Sequence, residues 1–175
     1  MRRSTCTRVE FKSRITVITR RELASQQIIT MRPGDVYTMG DIEIIAVTML
    51  HPGYRYSLKV RADGRALGYV IRTPERTMLY SGDSDYFEGF AEIGNTYRPS
   101  LAILNVTTHL QTKDAIKAIR DLNVRKVIPS HYGAYGGSNE RKTPEYREEL
   151  ADMLGSMWVP LAVGESCTLD GDPLD

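Results

Sequence analysis

At 175 residues, with 41% hydrophobic and 26% charged side chains, the chain suits one domain with a real core. A net charge of +1 gives no strong pull on nucleic acid or on an anionic membrane, and neither is expected as a partner. Cys6 and Cys167 make no disulfide framework, no signal-peptide core follows Met1-Arg-Arg, and no apolar run approaches the roughly 20 residues of a spanning helix, so a soluble cytoplasmic chain is expected.

In chain order, residues 1–13 are polar, basic and without period, and are expected to be loose. Ile15–Ile18 reads as a strand. Thr19-Arg-Arg-Glu22 has the spacing of a capping box and predicts a short helix to about Gln27. Ile28–Met31 returns to strand character, and Arg32-Pro-Gly-Asp35 predicts a turn. Val36–Thr38 and Ile42–Val47 are two further strands around Met39-Gly-Asp41, and the second leads to His51-Pro-Gly53.

Ser57–Val60 and Ala66–Arg72 flank Ala62-Asp-Gly-Arg65, a hairpin signal. Thr73–Arg76 is the next turn, and Thr77–Tyr80 completes an expected β-meander. Residues 86–99 read as loop with at most one helical turn. Leu101–Leu104 is continuously apolar, as in a strand covered on both faces.

Asp114–Leu122 places Ala115, Ile116, Ile119 and Leu122 on one helical face, with Thr112 as the cap. Val124–Pro129 then predicts a buried strand, completing a parallel strand–helix–strand unit. Thr143-Pro144 opens a last helix with Tyr146, Leu150, Met153 and Leu154 on its apolar face, stopped by Gly155. Trp158–Val163 and Cys167–Leu169 read as closing strands.

The chemistry gathers at strand ends. Thr77-Met-Leu-Tyr80 runs into Ser81-Gly-Asp83, where Gly82 lets the backbone turn and deliver a carboxylate to an open edge. The chain holds three histidines, His51, His109 and His131, each just beyond a predicted strand. Imidazole and carboxylate are ordinary ligands of zinc, manganese and iron. An Asp-capped turn and structural histidines are the plainer reading of each residue singly, but four such residues at four strand ends favour a metal site. Ser81, Ser84 and Ser130 lack a nucleophile elbow. Gly133, Gly136 and Gly137 fit no dinucleotide motif. Tyr54, Arg55, Tyr56, Tyr86, Phe87 and the Tyr132–Ser138 loop are either a pocket mouth or ordinary surface.

The succession of His51-Pro-Gly53, Gly68-Tyr-Val-Ile71, Tyr80-Ser-Gly-Asp83, an apolar strand, a helix near Asp114-Ala115 and Val127-Ile-Pro-Ser-His-Tyr-Gly133 resembles the second half of the metallo-β-lactamase fold. Within that superfamily it is most similar to the metal-dependent hydrolases that include lactonases and phosphodiesterases. The resemblance runs from about Ile15 to Leu169. It implies an α/β chain: one incomplete αββα-sandwich domain over residues 1–175, a β-meander followed by a strand–helix–strand unit and a C-terminal helix.

It also implies roles. His51 resembles the histidine that binds the first metal, Asp83 the carboxylate that bridges two metals, and His131 the last histidine, which binds the second. Thr108-His-Leu-Gln-Thr-Lys-Asp-Ala115 resembles a motif whose histidine donates a proton to the leaving group, which would make His109 catalytic alongside Asp83. The implied cofactor is a divalent metal, zinc first, with manganese and iron as alternatives.

The family's His-x-His-x-Asp-His motif does not occur in this sequence. Two expectations follow: a hydrolase of ester, lactone or phosphodiester bonds whose chemistry is impaired in this chain, or a non-catalytic truncated or split half-domain acting as a subunit. A homodimer, or a chain supplying the missing half, is the expected partner.

Overall fold

The computed structural model describes residues 29, 31–51, 54–55, 60–61, 65–106, 110–131, 143–162 and 164–168. The strand and helix expected over residues 15–27 lie outside this set, and Ile29 and Met31 join no strand. The Arg32–Asp35 turn forms as expected. The Asp35 N–H donates to the Arg32 carbonyl at 2.9 Å, and the Arg32 N–H donates to the Asp35 carboxylate at 2.6 Å.

Val36–Met39 (β1) and Ile42–Leu50 (β2) pair antiparallel across the two-residue Gly40-Asp41 turn, with Met39 opposite Ile42. Tyr54–Arg55 (β3) and Val60–Arg61 (β4) form a separate two-stranded ribbon. Arg65–Arg72 (β5) and Thr77–Tyr80 (β6) follow, then Leu101–Asn105 (β7) and Lys126–Ser130 (β8). The main sheet has the order β1-β2-β5-β6-β7-β8, antiparallel from β1 to β6 and parallel from β6 to β8.

One pairing corrects the sequence expectation. β5 is not the hairpin partner of the strand before it; β4 pairs with β3, and β5 pairs with β2 over Glu43–Leu50. The β2 register is eight residues long, and it sets Ile45 opposite Val70 on one face, so the long pairing buries apolar side chains that a two-residue hairpin would leave in water. The four-residue turn from β5 to β6 is tied by Thr73, whose N–H donates to the Arg76 carbonyl at 2.9 Å.

The stretch expected as loop holds a helix, Gly89–Tyr97 (α1). Two glycines and few strong helix formers hide it, yet Phe90 and Ile93 are both buried. Gly94 is what lets α1 approach its neighbour. A side chain there would collide with the Asp121 carbonyl and the Leu122 Cα. Thr112–Leu122 (α2) and Thr143–Leu154 (α3) are the expected helices, and a 3-10 turn, Gly155–Met157, follows.

Thr112 does not cap α2. Gln111 takes that position, and the Thr112 hydroxyl donates instead to Glu149 on α3 at 2.7 Å, joining the two helices. On α3, Leu150 is buried as expected while Met153 is 57% exposed and leaves the apolar face. The closing strand expected at Trp158 reduces to one bridge to Val127, and Cys167 and Thr168 are in no strand.

The helices cover one face of the sheet. Ile45, Val47, Met49, Val70, Leu79, Ala102, Leu104 and Val127 form a single core with Phe90, Ile119, Leu122 and Leu150. The opposite face is less covered. Ile44, Tyr69, Ile71, Met78, Ile103 and Ile128 are half-buried, and Tyr80 is 42% exposed. The cover expected on both sides of Leu101–Leu104 is complete on the helix side, whereas Ile103 on the other is half-buried. No helix among the described residues is long and apolar enough to cross a membrane.

Candidate metal centre

Strand direction places the site. β5 runs antiparallel to both β2 and β6, so β2 and β6 point the same way, and β7 and β8 continue parallel to β6. Leu50, Tyr80, Asn105 and Ser130 therefore end four strands at one edge of the sheet. His51 is the next residue after β2, Asp83 lies three beyond β6, and His131 is the next after β8.

The loop after β6 is held tightly. The Ser81 N–H donates to the Ile103 carbonyl at 3.1 Å, extending the parallel ladder. Gly82 has a φ of +58°, in the left-handed region that glycine enters at no steric cost. Ser84 is fully buried; its hydroxyl accepts the Leu50 N–H at 3.3 Å and lies 3.2 Å from the Leu50 carbonyl and 2.8 Å from that of Asp85. The Asp85 N–H also donates to the Leu50 carbonyl, at 2.7 Å. These bonds lock the end of β2 against the Asp83 loop, and Ser84 is a clamp between them.

The clamp brings His51 Nε2 to 3.5 Å from Asp83 Oδ2, with both side chains one-third exposed. That is longer than an ordinary N–H···O hydrogen bond. It matches two ligands of one ion: donors about 2.1 Å from a tetrahedral zinc stand about 3.4 Å apart. The donor types and their spacing thus fit a divalent metal at this edge.

His131 occupies the same edge. It follows Ser130, which pairs with Asn105, and its φ of +63° is uncommon for a residue with a side chain. Such backbone strain is concentrated at functional sites. His131 does not close a cluster with the other two; among the described residues, no group of three or more His, Cys, Asp or Glu side chains stands close enough to hold a metal ion. His109 lies outside the described residues, as do Tyr56 and the Tyr132–Ser138 loop.

Asn105 is the site residue that sequence reasoning missed. It is 1% exposed, and its side-chain amide donates to Asp83 Oδ1. The available signal was a polar residue closing the apolar run Leu101–Leu104 at the very end of a buried strand.

Tyr86 and Phe87 have unlike roles. The Tyr86 hydroxyl donates to Asp121 Oδ2 at 2.6 Å, and Lys117 lies over its ring at 4.2 Å. That hydrogen bond to Asp121 raises the phenol above its ordinary value. Tyr86 thus pins the loop beyond Asp83 to α2. Phe87 lines a shallow cleft of about 210 Å³, shared with Pro33, Ala46, Thr48, Ile93 and Tyr97. The cleft contains none of His51, Asp83 or His131.

The chain has relatives among known proteins. A family model described as a beta-lactamase superfamily domain matches residues 4–132. The chain is 29% identical over 144 residues to a metal-dependent hydrolase of Solibacter usitatus, covering 78% of this chain and 62% of that protein. It is also 29% identical over 145 residues to a probable L-ascorbate-6-phosphate lactonase of Escherichia fergusonii, covering 73% of this chain and 40% of that protein. The solved structure of Igni18, a metallo hydrolase from Ignicoccus hospitalis, superposes with a TM-score of 0.59 at 18% identity, over 87% of this chain and 62% of that one. The chain thus spans less than two-thirds of the length of these relatives.

Proposed function

Because this chain belongs to the metallo-β-lactamase superfamily, we propose that it carries a divalent-metal site of the hydrolase type at the shared strand edge, with His51 and Asp83 as ligands. The observation that carries this reading is the 3.5 Å approach of His51 Nε2 to Asp83 Oδ2. His131 follows β8 on the same edge, two strands from β6 and outside the His51–Asp83 pair, and is proposed as a further, more distant ligand; zinc is the first choice of ion given imidazole and carboxylate donors. His109 is the proposed proton donor to a leaving group. When bound, such an ion supplies Lewis-acid chemistry to an ester, lactone or phosphodiester. The residues themselves orient it: the Ser84 bonds fix His51 and Asp83 relative to one another before any ion arrives.

In the 175-residue polypeptide this chemistry is impaired. Two close metals activate water and clamp a displacement, whereas two converging donors with a more distant His131 would hold at most one ion, weakly. Zinc titration of the metal-free chain is expected to show at most one ion per chain, bound less tightly after His131→Ala. Hydrolysis of an activated phosphodiester or lactone should stay near background. Unchanged binding by the His131 variant would remove that residue from the site, and robust metal-dependent turnover would overturn the impaired reading.

A second reading, that the chain acts as a subunit or partner-binding half-domain, is favoured by the less covered sheet face. Tyr80 at 42% exposure, with Met78, Tyr69, Ile71, Ile103 and Ile128 half-buried around it, is apolar surface suited to pairing. It would be covered by a second copy or by a chain carrying the other half of the sandwich. Light scattering on the purified chain is expected to give about twice 19.7 kDa. A mass of 19.7 kDa that persists at high concentration would rule out self-pairing.

A further inference from the structure

Resting on the assignment of Asp83 as a metal ligand, we propose that Asn105 is its positioning residue, holding one carboxylate oxygen so that the other alone faces the metal. Asn105 closes β7, where the preceding Leu104 belongs to the core, and it is itself 1% exposed. A buried amide at the end of an apolar run is costly unless its hydrogen bonds are met. The amide meets that need by donating to Asp83 Oδ1, across 22 positions of sequence.

The base of the Asn105 side chain is fixed from both sides. Its backbone pairs with Ser130 on β8, and its N–H donates to the buried Ser81 hydroxyl at 3.4 Å. The amide therefore has little freedom to follow Asp83 if the carboxylate turns. With Oδ1 held by Asn105, Oδ2 is the oxygen left beside His51 Nε2, at 3.5 Å.

The residue type suits this role. A side-chain amide does not titrate, so it donates to the carboxylate at any working pH. A second carboxylate in its place would repel Asp83. A lysine would neutralise the charge the metal needs. Partners of this kind orient metal ligands in known sites, and their loss typically costs about 10–100-fold in metal affinity.

The test uses the full chain, zinc affinity by competition with a chromophoric chelator, and cobalt(II) absorption as a probe of ligand arrangement. Wild type, Asp83→Ala and Asn105→Ala are compared, with far-UV circular dichroism to verify folding. Asn105→Ala is expected to bind zinc about 10–100-fold more weakly, with altered visible cobalt bands and an unchanged dichroism spectrum. Asn105→Ser, whose hydroxyl is too short to make the same contact, is read in the same way if the alanine chain does not fold. If wild type and Asp83→Ala bind alike, the metal site itself is misassigned. If Asp83→Ala loses binding while the folded Asn105 variant keeps both affinity and cobalt bands, the site stands and the positioning role falls.

Discussion

Asp83→Ala is expected to lower zinc affinity by about 100-fold or more, since loss of an outer partner alone costs about 10–100-fold. A 100-fold loss corresponds to about 2.7 kcal/mol of binding free energy. The expectation rests on position as much as on residue type. Asp83 is delivered by a left-handed Gly82 and held at the strand edge by the Ser84 bonds to Leu50, with its Oδ2 facing His51. Asp85→Ala is the matched control. It removes a carboxylate two positions on but leaves the backbone N–H that bonds the Leu50 carbonyl. Its affinity should stay within about threefold of wild type, a difference of less than about 1 kcal/mol. Equal losses from the two substitutions would mean that general charge near the edge, and not a ligand at position 83, attracts the ion.

Phe90→Ala carries the largest expected effect on stability, about 3–5 kcal/mol. Phe90 is fully buried at the start of α1, with its ring centroid 5.1 Å from that of Phe87 and 6.0 Å from that of Tyr86. Removing it leaves a cavity between α1 and the sheet that Gly94 cannot help to fill, because that residue already brings the backbones of α1 and α2 into contact. Domains of this size are stable by only about 5–15 kcal/mol, so such a loss approaches the whole margin. Met153→Ala, at a position 57% exposed, should change stability by less than about 0.5 kcal/mol. Urea midpoints of the two variants, with equal slopes, make the comparison. A Phe90→Ala loss below about 1 kcal/mol would show that α1 is not part of the cooperative core.

Local pattern alone determined a good deal of this protein. The Pro-Gly turn before β1, the strands at Val36, Ile42, Ala66, Thr77 and Leu101, and the helix ending at Leu122 were legible. Each is set by near neighbours: a period of two or 3.6, a breaker, a turn residue. The Tyr80-Ser-Gly-Asp83 stretch and the position of His51 after a strand were legible for the same reason, and with them the metallo-β-lactamase resemblance.

Tertiary structure decided the rest. Which strand lies beside β5 depends on how much apolar surface each register buries, and the eight-residue pairing with β2 outcompetes the local Asp-Gly hairpin signal. The helix Gly89–Tyr97 is weak in propensity and is stabilised by packing Phe90 and Ile93 into the core. The Asn105 amide on Asp83 and the Thr112 hydroxyl on Glu149 join residues 22 and 37 positions apart. No periodicity reports such bonds, because their partners become neighbours only when the sheet and its helices have assembled. The residue types that can bind a metal are written in the chain, but the edge at which His51 and Asp83 meet exists only because β2 and β6 run the same way on either side of β5.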